Sequence, residues 1–508
     1  MKLKKLLFPL LLVVSLLALL FRAFARRVAA DSAAGSSPYP EIDAYLIEQM
    51  RRLNIPGAML AIVDGERIVH ARGFGRARPG GEAPTVKTPF LIGSLTKSFT
   101  ALAVMQQVEA GKVELDAPVQ RYLPWFRVAD PQASARMTVR HLLHQTSGLP
   151  MMAGNELLAN FDSRPEAAEC QARALSTLKL SRPPGAACEY SNLNYNLLGL
   201  IVEAASGESY ADYIHNHIFK PLDMRHSYTS RAVAQANGLA VGYRYWFGRP
   251  VPAPDLPLPQ GSTASGQLIS CAEDLAFYLN AYLNAGRLEE DQLLSEQGIE
   301  TLLRGQVKFD MFGRATGRYG MGWFDIDLGS TKTYSHGGNV PEFSAFMALL
   351  PQQKQGLVLL VNADHYGLPP ILAEVGMGAA ALLAGQQPPP IELGFLPGLL
   401  RLLPLIPLLQ VVGGLTTLAT LRRWRQQPAK RPQGARLWGQ HMLLPLIPNL
   451  SLAAVLVYLK SNRLLPYLRL FNPDLAWLVR VSGGFGTVWA VIRTGLILQS
   501  QLKDAKHD

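Results

Sequence analysis

The chain has 508 residues, three cysteines and a formal net charge of +11. Residues 1–30 carry six Lys and Arg and no acid, residues 401–508 carry 14 against three, and residues 31–400 carry 29 against 35. Basic excess confined to two apolar ends is a membrane-topology pattern, so no nucleic-acid partner is expected, and three cysteines are too few for a disulfide scaffold.

Lys2, Lys4 and Lys5 precede an apolar run from Leu6 to Phe21, followed by the small residues Ala23–Ala25 and Ala29–Ala30. Residues 1–30 thus read as a secretory signal or, because Arg22, Arg26 and Arg27 flank the far side, an uncleaved signal anchor. Either would export the domain downstream. Residues 31–40 read as a spacer and 41–386 as a globular domain. Met59–Val63 and Arg67–His70 flank Asp64-Gly65-Glu66, a hairpin signal. Thr96 to Ala110 has helical spacing and stops at Gly111. A mixed, mostly helical stretch runs to about residue 245, and the Pro-rich segment Pro250–Pro259 breaks it. Apolar runs return at Tyr319–Ile326, Thr331–Ser335, Phe343–Leu350 and Leu357–Val361, with a turn at Pro351–Gly356. Strands at both ends with helices between predict an α+β domain, its antiparallel sheet joined by the early hairpin and interrupted by a helical insertion. If exported, Cys170 and Cys188 could pair and leave Cys271 free; three buried thiols without a role fit the sequence as well.

Past a linker at 387–401, residues 402–508 read as a membrane domain with two or three spans. Leu402–Leu421 has no charge and Leu437–Leu459 only His441, each long enough to cross a bilayer. Leu475–Gln499 is interrupted by Arg480 and Arg493 and reads as a span or as a helix lying on the membrane. The loop holding Arg422, Arg423, Arg425, Lys430, Arg431 and Arg436 is expected on the cytoplasmic side. The domain before it would then sit at the cell membrane on the extracytoplasmic side, with membrane lipid as a partner.

Ser94-Leu95-Thr96-Lys97 carries the chemistry. It places a hydroxyl and an amine three residues apart at a helix start, where side chains share a face. A serine becomes a nucleophile beside a base, and a desolvated lysine can be that base. Ser176–Lys179 and Ser500–Lys503 have the same spacing, but only Ser94 follows a glycine and precedes an apolar helix. Tyr190-Ser191-Asn192 enters another helical stretch: the tyrosine can relay a proton and the asparagine can orient Lys97 or a substrate carbonyl. Tyr278–Asn280 and Tyr282–Asn284 repeat that spacing inside a helix and read as core. His336-Gly337-Gly338 ends a β-like run, where glycines let the backbone approach a substrate and an N–H could serve an oxyanion beside that of Ser94. A hairpin turn with a surface histidine is the plain alternative. His141 and His144 read as structural. No metal ligands are expected, and no cofactor motif is present.

In order and wording these motifs resemble the serine β-lactamase and penicillin-binding protein superfamily, on its class C side, which includes D,D-peptidases and esterases. The carrying pieces are Gly93–Thr100, Val113–Val119 with Tyr122-Leu-Pro124, Thr138–Pro150, Tyr190-Ser-Asn192, Pro221–Met224, Tyr319–Trp323 and His336-Gly-Gly338, over about residues 40–385. The resemblance implies a β-lactamase/transpeptidase-like fold and a Ser94 acyl-enzyme, with Lys97 and Tyr190 sharing the proton work. It implies that Asn192 orients substrate and that the Asn339 N–H joins the Ser94 N–H in an oxyanion hole. The family's Lys-Thr-Gly triad is His336-Gly337-Gly338 here. Neutral histidine and a glycine without a hydroxyl hold a drug carboxylate poorly, so strong β-lactamase activity is not expected. Glu342 stands where related sequences often carry glycine, which predicts a differently shaped entrance. The expected function is a membrane-attached serine hydrolase of a small-molecule or peptide ester or amide, a cell-wall component among them. The alternatives are a penicillin-binding D,D-carboxypeptidase or peptidoglycan-editing enzyme and, from another class, a non-catalytic membrane sensor or scaffold. Lys97 must be desolvated to act as a base, which predicts burial against Ser94 and Tyr190.

Overall fold

The hairpin forms around a two-residue loop: strand β1 (Gly57–Asp64) turns through Gly65 and Glu66 into β2 (Arg67–Gly75). Gly65 has φ +60°, a left-handed conformation that glycine adopts without steric cost. This is a computed structural model that describes residues 37–311, 314–364, 371–428, 431–462 and 464–502. The signal or anchor expected at 1–30 lies outside the described residues. The chain divides into two units, Met1–Asp43 and Ala44–Asp508. The described part of the first, residues 37–43, holds only the start of helix α1 (Pro40–Leu53).

In the second unit the remaining sheet strands are β3 (Val307–Met311), β4 (Arg314–Tyr319), β5 (Phe324–Leu328), β6 (Thr331–Val340), β7 (Phe343–Leu350) and β8 (Gln355–Val361). They form one antiparallel sheet in the order β2-β1-β8-β7-β6-β5-β4-β3. Register Ala58↔Val361 to Asp64↔Gln355 joins the early hairpin to the late strands. All eight residues of β7 are buried because helices cover both faces. Ala345, Met347 and Leu349 join Met59, Ala61 and Val63 in the main core. On the opposite face Phe346 packs so tightly on helix Ile371–Leu383 that a Cβ at Gly376 would lie 2.3 Å from its ring.

The helix after Ser94 runs Thr96–Glu109 (α2) and is buried nearly all round, as a central core helix must be. Phe99 stacks on Tyr278 at 4.0 Å, a contact worth about 1 kcal/mol beyond its buried area. Asn192–Ser206 (α3) starts at the N-cap Ser191 and ends at Gly207, φ +81°, the usual left-handed C-terminal stop.

Two open alternatives are decided and two expectations change. His336-Gly337-Gly338 lies inside β6, not in a turn; the turn comes at Pro341-Glu342. Tyr319–Ile326 is two strands, split at Gly320–Trp323, where Gly322 adopts φ +77° against the Lys97 carbonyl. The Pro-rich break begins as a second hairpin, Tyr243–Trp246 with Arg249–Pro252. Its prolines sit on an edge strand, where a missing N–H costs nothing. All three cysteines are unpaired, so Cys170 and Cys188 form no bridge.

Glu342 is another finding. It is 2% exposed, and its carboxylate accepts from Arg231 Nη2 at 2.8 Å, with Arg244 Nη2 at 4.0 Å. The residue expected to reshape the entrance is committed to a buried ion cluster. Glu342→Ala removes the carboxylate nearest Arg244 and leaves Arg231 with Asp255 alone, so it is expected to destabilise the protein by about 3 kcal/mol, seen as a lower Tm of the full-length protein in detergent.

Three helical segments near the C-terminus are long and apolar enough to cross a membrane: Leu396–Gln426, Gly434–Ser461 and Pro473–Ser500. The third packs on the second hairpin. The Phe247 N–H donates to Asp474 Oδ2 at 2.8 Å in a buried bond, and Trp246 and Phe247 meet Trp477 at 6.0 and 6.4 Å between ring centroids.

Candidate active site

Ser94 sits in the 3₁₀ turn Gly93–Leu95 that leads into α2. In Gly93–Lys97 it alone is not fully buried. Gly93 has φ +55°, and a Cβ there would lie 2.6 Å from the Asn339 nitrogen. A Cβ on Gly338 would lie 2.0 Å from the Ile92 carbonyl oxygen. These two glycines let β6 approach the serine turn and set the Asn339 main chain beside it. Gly93→Ala must strain φ and push the strand away. It is expected to lower kcat by about 10²-fold, the usual loss when an oxyanion donor is displaced, with KM much less changed in steady-state assays.

Lys97 is 0% exposed. Its Nζ lies 2.9 Å from Ser94 Oγ, 2.7 Å from Asn192 Oδ1 and 2.7 Å from the Ser265 carbonyl oxygen. No carboxylate partners it among the described residues. Burial therefore drives its pKa well below that of an ordinary lysine. A neutral amine has two N–H groups and one lone pair. Asn192 Oδ1 and the Ser265 carbonyl can only accept, so they take the two N–H groups. The lone pair is left facing the Ser94 hydroxyl, which can donate to it.

The Tyr190 hydroxyl also hydrogen-bonds Ser94, and burial holds its pKa above the usual phenol range despite that bond. Lys97 Nζ stands 4.9 Å from the centre of the Tyr190 ring. Asn192, the first residue of α3, is fixed from behind by Asn155 Oδ1, 3.4 Å from its Nδ2.

His336 is 1% exposed. Its Nδ1 lies 2.7 Å from the Gly337 carbonyl, which can only accept, so Nδ1 carries the proton. Nε2 is then a lone-pair acceptor, and it has no partner among the described residues. Burial, with Lys97 adding to it whenever that amine carries its proton, lowers the pKa to about 3, so the ring is neutral. Phe324 packs on the ring at 5.0 Å, and Tyr190 lies at 6.2 Å. The Asn339 side chain turns away, donating to Ser344 Oγ at 3.1 Å and Asp364 Oδ1 at 2.7 Å.

Ser94, Lys97, Tyr190, Asn192, His336, Gly337, Gly338 and Asn339 thus gather at one place, where α2, α3 and β6 meet. The other Ser-x-x-Lys matches do not join them. Ser176 and Lys179 are exposed, and Lys503 lies outside the described residues. Sequence reasoning missed Ser265, which acts through a main-chain carbonyl that any residue has, and Asn155, which no motif marks. His141 Nδ1 accepts from the Thr138 N–H at 3.2 Å as part of a helix cap, and His144 Nδ1 lies 3.1 Å from the Gly320 carbonyl. Ligand atoms of His226, Cys271 and Asp274 lie within 4.8 Å of one another. Asp274 there accepts from the His226 N–H and the Ser227 hydroxyl, each at 2.8 Å, knitting a loop to a helix.

A serine with a buried amine and a phenol at its hydroxyl, beside a strand of an antiparallel sheet, is an arrangement of the serine-hydrolase kind. The family described as Beta-lactamase matches residues 42–381, and the chain belongs to it, within the serine β-lactamase and penicillin-binding protein superfamily. It is 29% identical over 338 residues to Protein flp of Staphylococcus aureus (strain MW2), covering 65% of this chain and 64% of that protein. It therefore spans less than two thirds of the staphylococcal relatives' length. Penicillin-binding protein 4 of Amycolatopsis lactamdurans is 30% identical over 322 residues, 61% of this chain and 81% of that protein. Among solved structures, the octameric penicillin-binding protein homologue from Pyrococcus abyssi aligns with TM-score 0.60 and 31% identity, covering 69% of this chain and 78% of that one.

Proposed function

We propose that the chain is an exported, membrane-attached serine hydrolase that cleaves an ester or amide through a Ser94 acyl-enzyme. The observation that carries this is Lys97: fully buried, without a counter-charge, and 2.9 Å from Ser94 Oγ. Lys97 Nζ takes the Ser94 proton as Oγ bonds to the substrate carbonyl carbon. The oxyanion rests on the Ser94 and Asn339 main-chain N–H groups. As the carbonyl re-forms, the bond to the leaving group breaks and Tyr190 gives that group its proton. The proton left on Lys97 then passes to the Tyr190 oxygen, which restores both groups. Water then repeats the sequence on the acyl carbon and releases the acid. Buried lysine and buried tyrosine are pushed in opposite directions, one toward a neutral base and the other toward a retained acid.

His336 shapes the preference. Its free Nε2 accepts a hydrogen bond, so it favours a substrate with a hydroxyl or amide N–H beside the reacting carbonyl. It offers no cation to a carboxylate. An uncharged ester is expected to turn over with kcat/KM about 10-fold or more above that of a carboxylated β-lactam, the worth of one charge-assisted bond, in parallel steady-state assays.

The names of the relatives favour a second reading, a penicillin-binding peptidase of the cell wall. Labelling the full-length protein with a fluorophosphonate and with a fluorescent penicillin separates the two. Strong fluorophosphonate and weak penicillin labelling supports the esterase; stoichiometric penicillin labelling supports the peptidase. No labelling of the folded protein by either moves the chain to a non-catalytic sensor or scaffold. Export is supported by the basic segment from Arg422 to Arg436, on the positive-inside rule, and is tested by protease protection of residues 44–386 in sealed vesicles.

A further inference from the structure

The three long apolar helices enclose a cavity of about 600 Å³. That size falls among small-ligand sites, roughly 300–1,000 Å³. Its walls include Ile406, Leu409, Gln410, Leu452 and Arg493. Arg493 is 6% exposed. Its Nε donates to Thr417 Oγ1 at 3.2 Å, while its Nη1 is buried with no hydrogen-bond partner among the described residues. No described carboxylate reaches it. The one described acid between residues 396 and 500, Asp474, is bound to the Phe247 and Leu475 N–H groups. A guanidinium stays charged at any working pH. A buried charge without a counter-ion inside apolar helices marks a functional site whose partner has to come from outside the chain.

We propose that this cavity binds one anionic amphiphile, resting on the reading of these helices as membrane-embedded. Its phosphate or carboxylate pairs with the Arg493 fork, and its apolar chain lies along Ile406, Leu409 and Leu452. The cavity reaches Leu421 and Trp424 at the end of the first helix, next to Arg422, Arg423 and Arg425, in the basic setting that draws anionic lipid headgroups.

The test uses the full chain in nanodiscs of neutral phosphatidylcholine. Either phosphatidylglycerol or inorganic phosphate is added and Tm is read, and native mass spectrometry counts retained lipid. A ligand that binds only the folded protein raises Tm. Wild type is expected to gain a few degrees with phosphatidylglycerol and to retain about one such lipid. Arg493→Gln is expected to retain about fivefold less and to lose the shift, and Arg493→Lys to keep part of it. Gly413→Leu fills the cavity, since a Cβ there meets nothing within 4 Å. It should lose the lipid with the charge intact, and it serves as the second test if Arg493→Gln does not fold. A shift with phosphate alone that depends on Arg493 assigns the site to a soluble anion. No shift with either, or lipid retention indifferent to both Arg493→Gln and Gly413→Leu, overturns the proposal. Release of the protein from membranes by alkaline carbonate would instead overturn the membrane reading.

Discussion

Ser94→Ala is expected to remain folded and to lose all labelling by fluorophosphonate and penicillin probes, with kcat/KM on any turned-over ester down about 10⁴-fold or more. The hydroxyl has an attacking oxygen with a base 2.9 Å away, while Lys97 itself is sealed beneath it. The structural cost is small. One hydroxyl is lost and two hydrogen bonds go with it, about 1–2 kcal/mol. A normal unfolding profile with absent labelling would assign the chemistry to Ser94. Labelling that survives at another residue would remove Ser94 from the mechanism.

Lys97→Met is expected to be nearly as damaging to kcat. Because serine and base act as one unit, the double variant Ser94→Ala, Lys97→Met should be little worse than either single. The pH dependence separates a base from a mere spacer. Lys97 has a lowered folded pKa, against ~10.4 for a free lysine. The rate of the wild type should therefore rise with pH through the folded value and level off above it, as the amine loses its proton. The sign of the stability effect follows from the same shift. Between the folded pKa and ~10.4 the unfolded chain holds a proton that the folded chain lacks, so stability climbs with pH across that window, by up to about 1.4 kcal/mol per unit. It is greatest above ~10.4 and falls as pH drops toward the folded value. Lys97→Met should lose both the rising limb of the rate profile and this climb in Tm. A Tm profile identical to wild type would mean that Lys97 is charged in the folded protein, and the base mechanism would fall.

What could be read from the sequence depended on distance along the chain. Ser94 and Lys97 were legible as a pair because three residues in a helix fix their geometry locally. The 3.6-residue spacing of Thr96–Ala110 and the Gly65 turn were legible for the same reason. Tyr190 and Asn192 lie some 95 residues away, and only their surrounding motif linked them to Ser94. His336-Gly337-Gly338 was found as the end of a strand, with a turn as its plain alternative. The work of its glycines is to thin a strand so that Ile92 and Gly93 can touch it, a tertiary demand with no local signature. The same holds for Glu342, whose partner Arg231 is 111 residues away, and for the second hairpin, whose prolines are tolerated only because it sits at an edge. The orphaned nitrogen of Arg493 could not be read at all, because the sequence shows a charge without showing what surrounds it.

The buried bond from the Phe247 N–H to Asp474, flanked by Trp246 and Trp477, turns the hydrolase into a tool with a set reach. A domain on a loose tether sweeps a volume and can follow its target. One bolted to the top of a helix works at a single altitude. Were that helix to stand in a bilayer, as proposed, Ser94 would be held to one plane parallel to the membrane, and a bond nearer or farther than that plane would escape it whatever its chemistry.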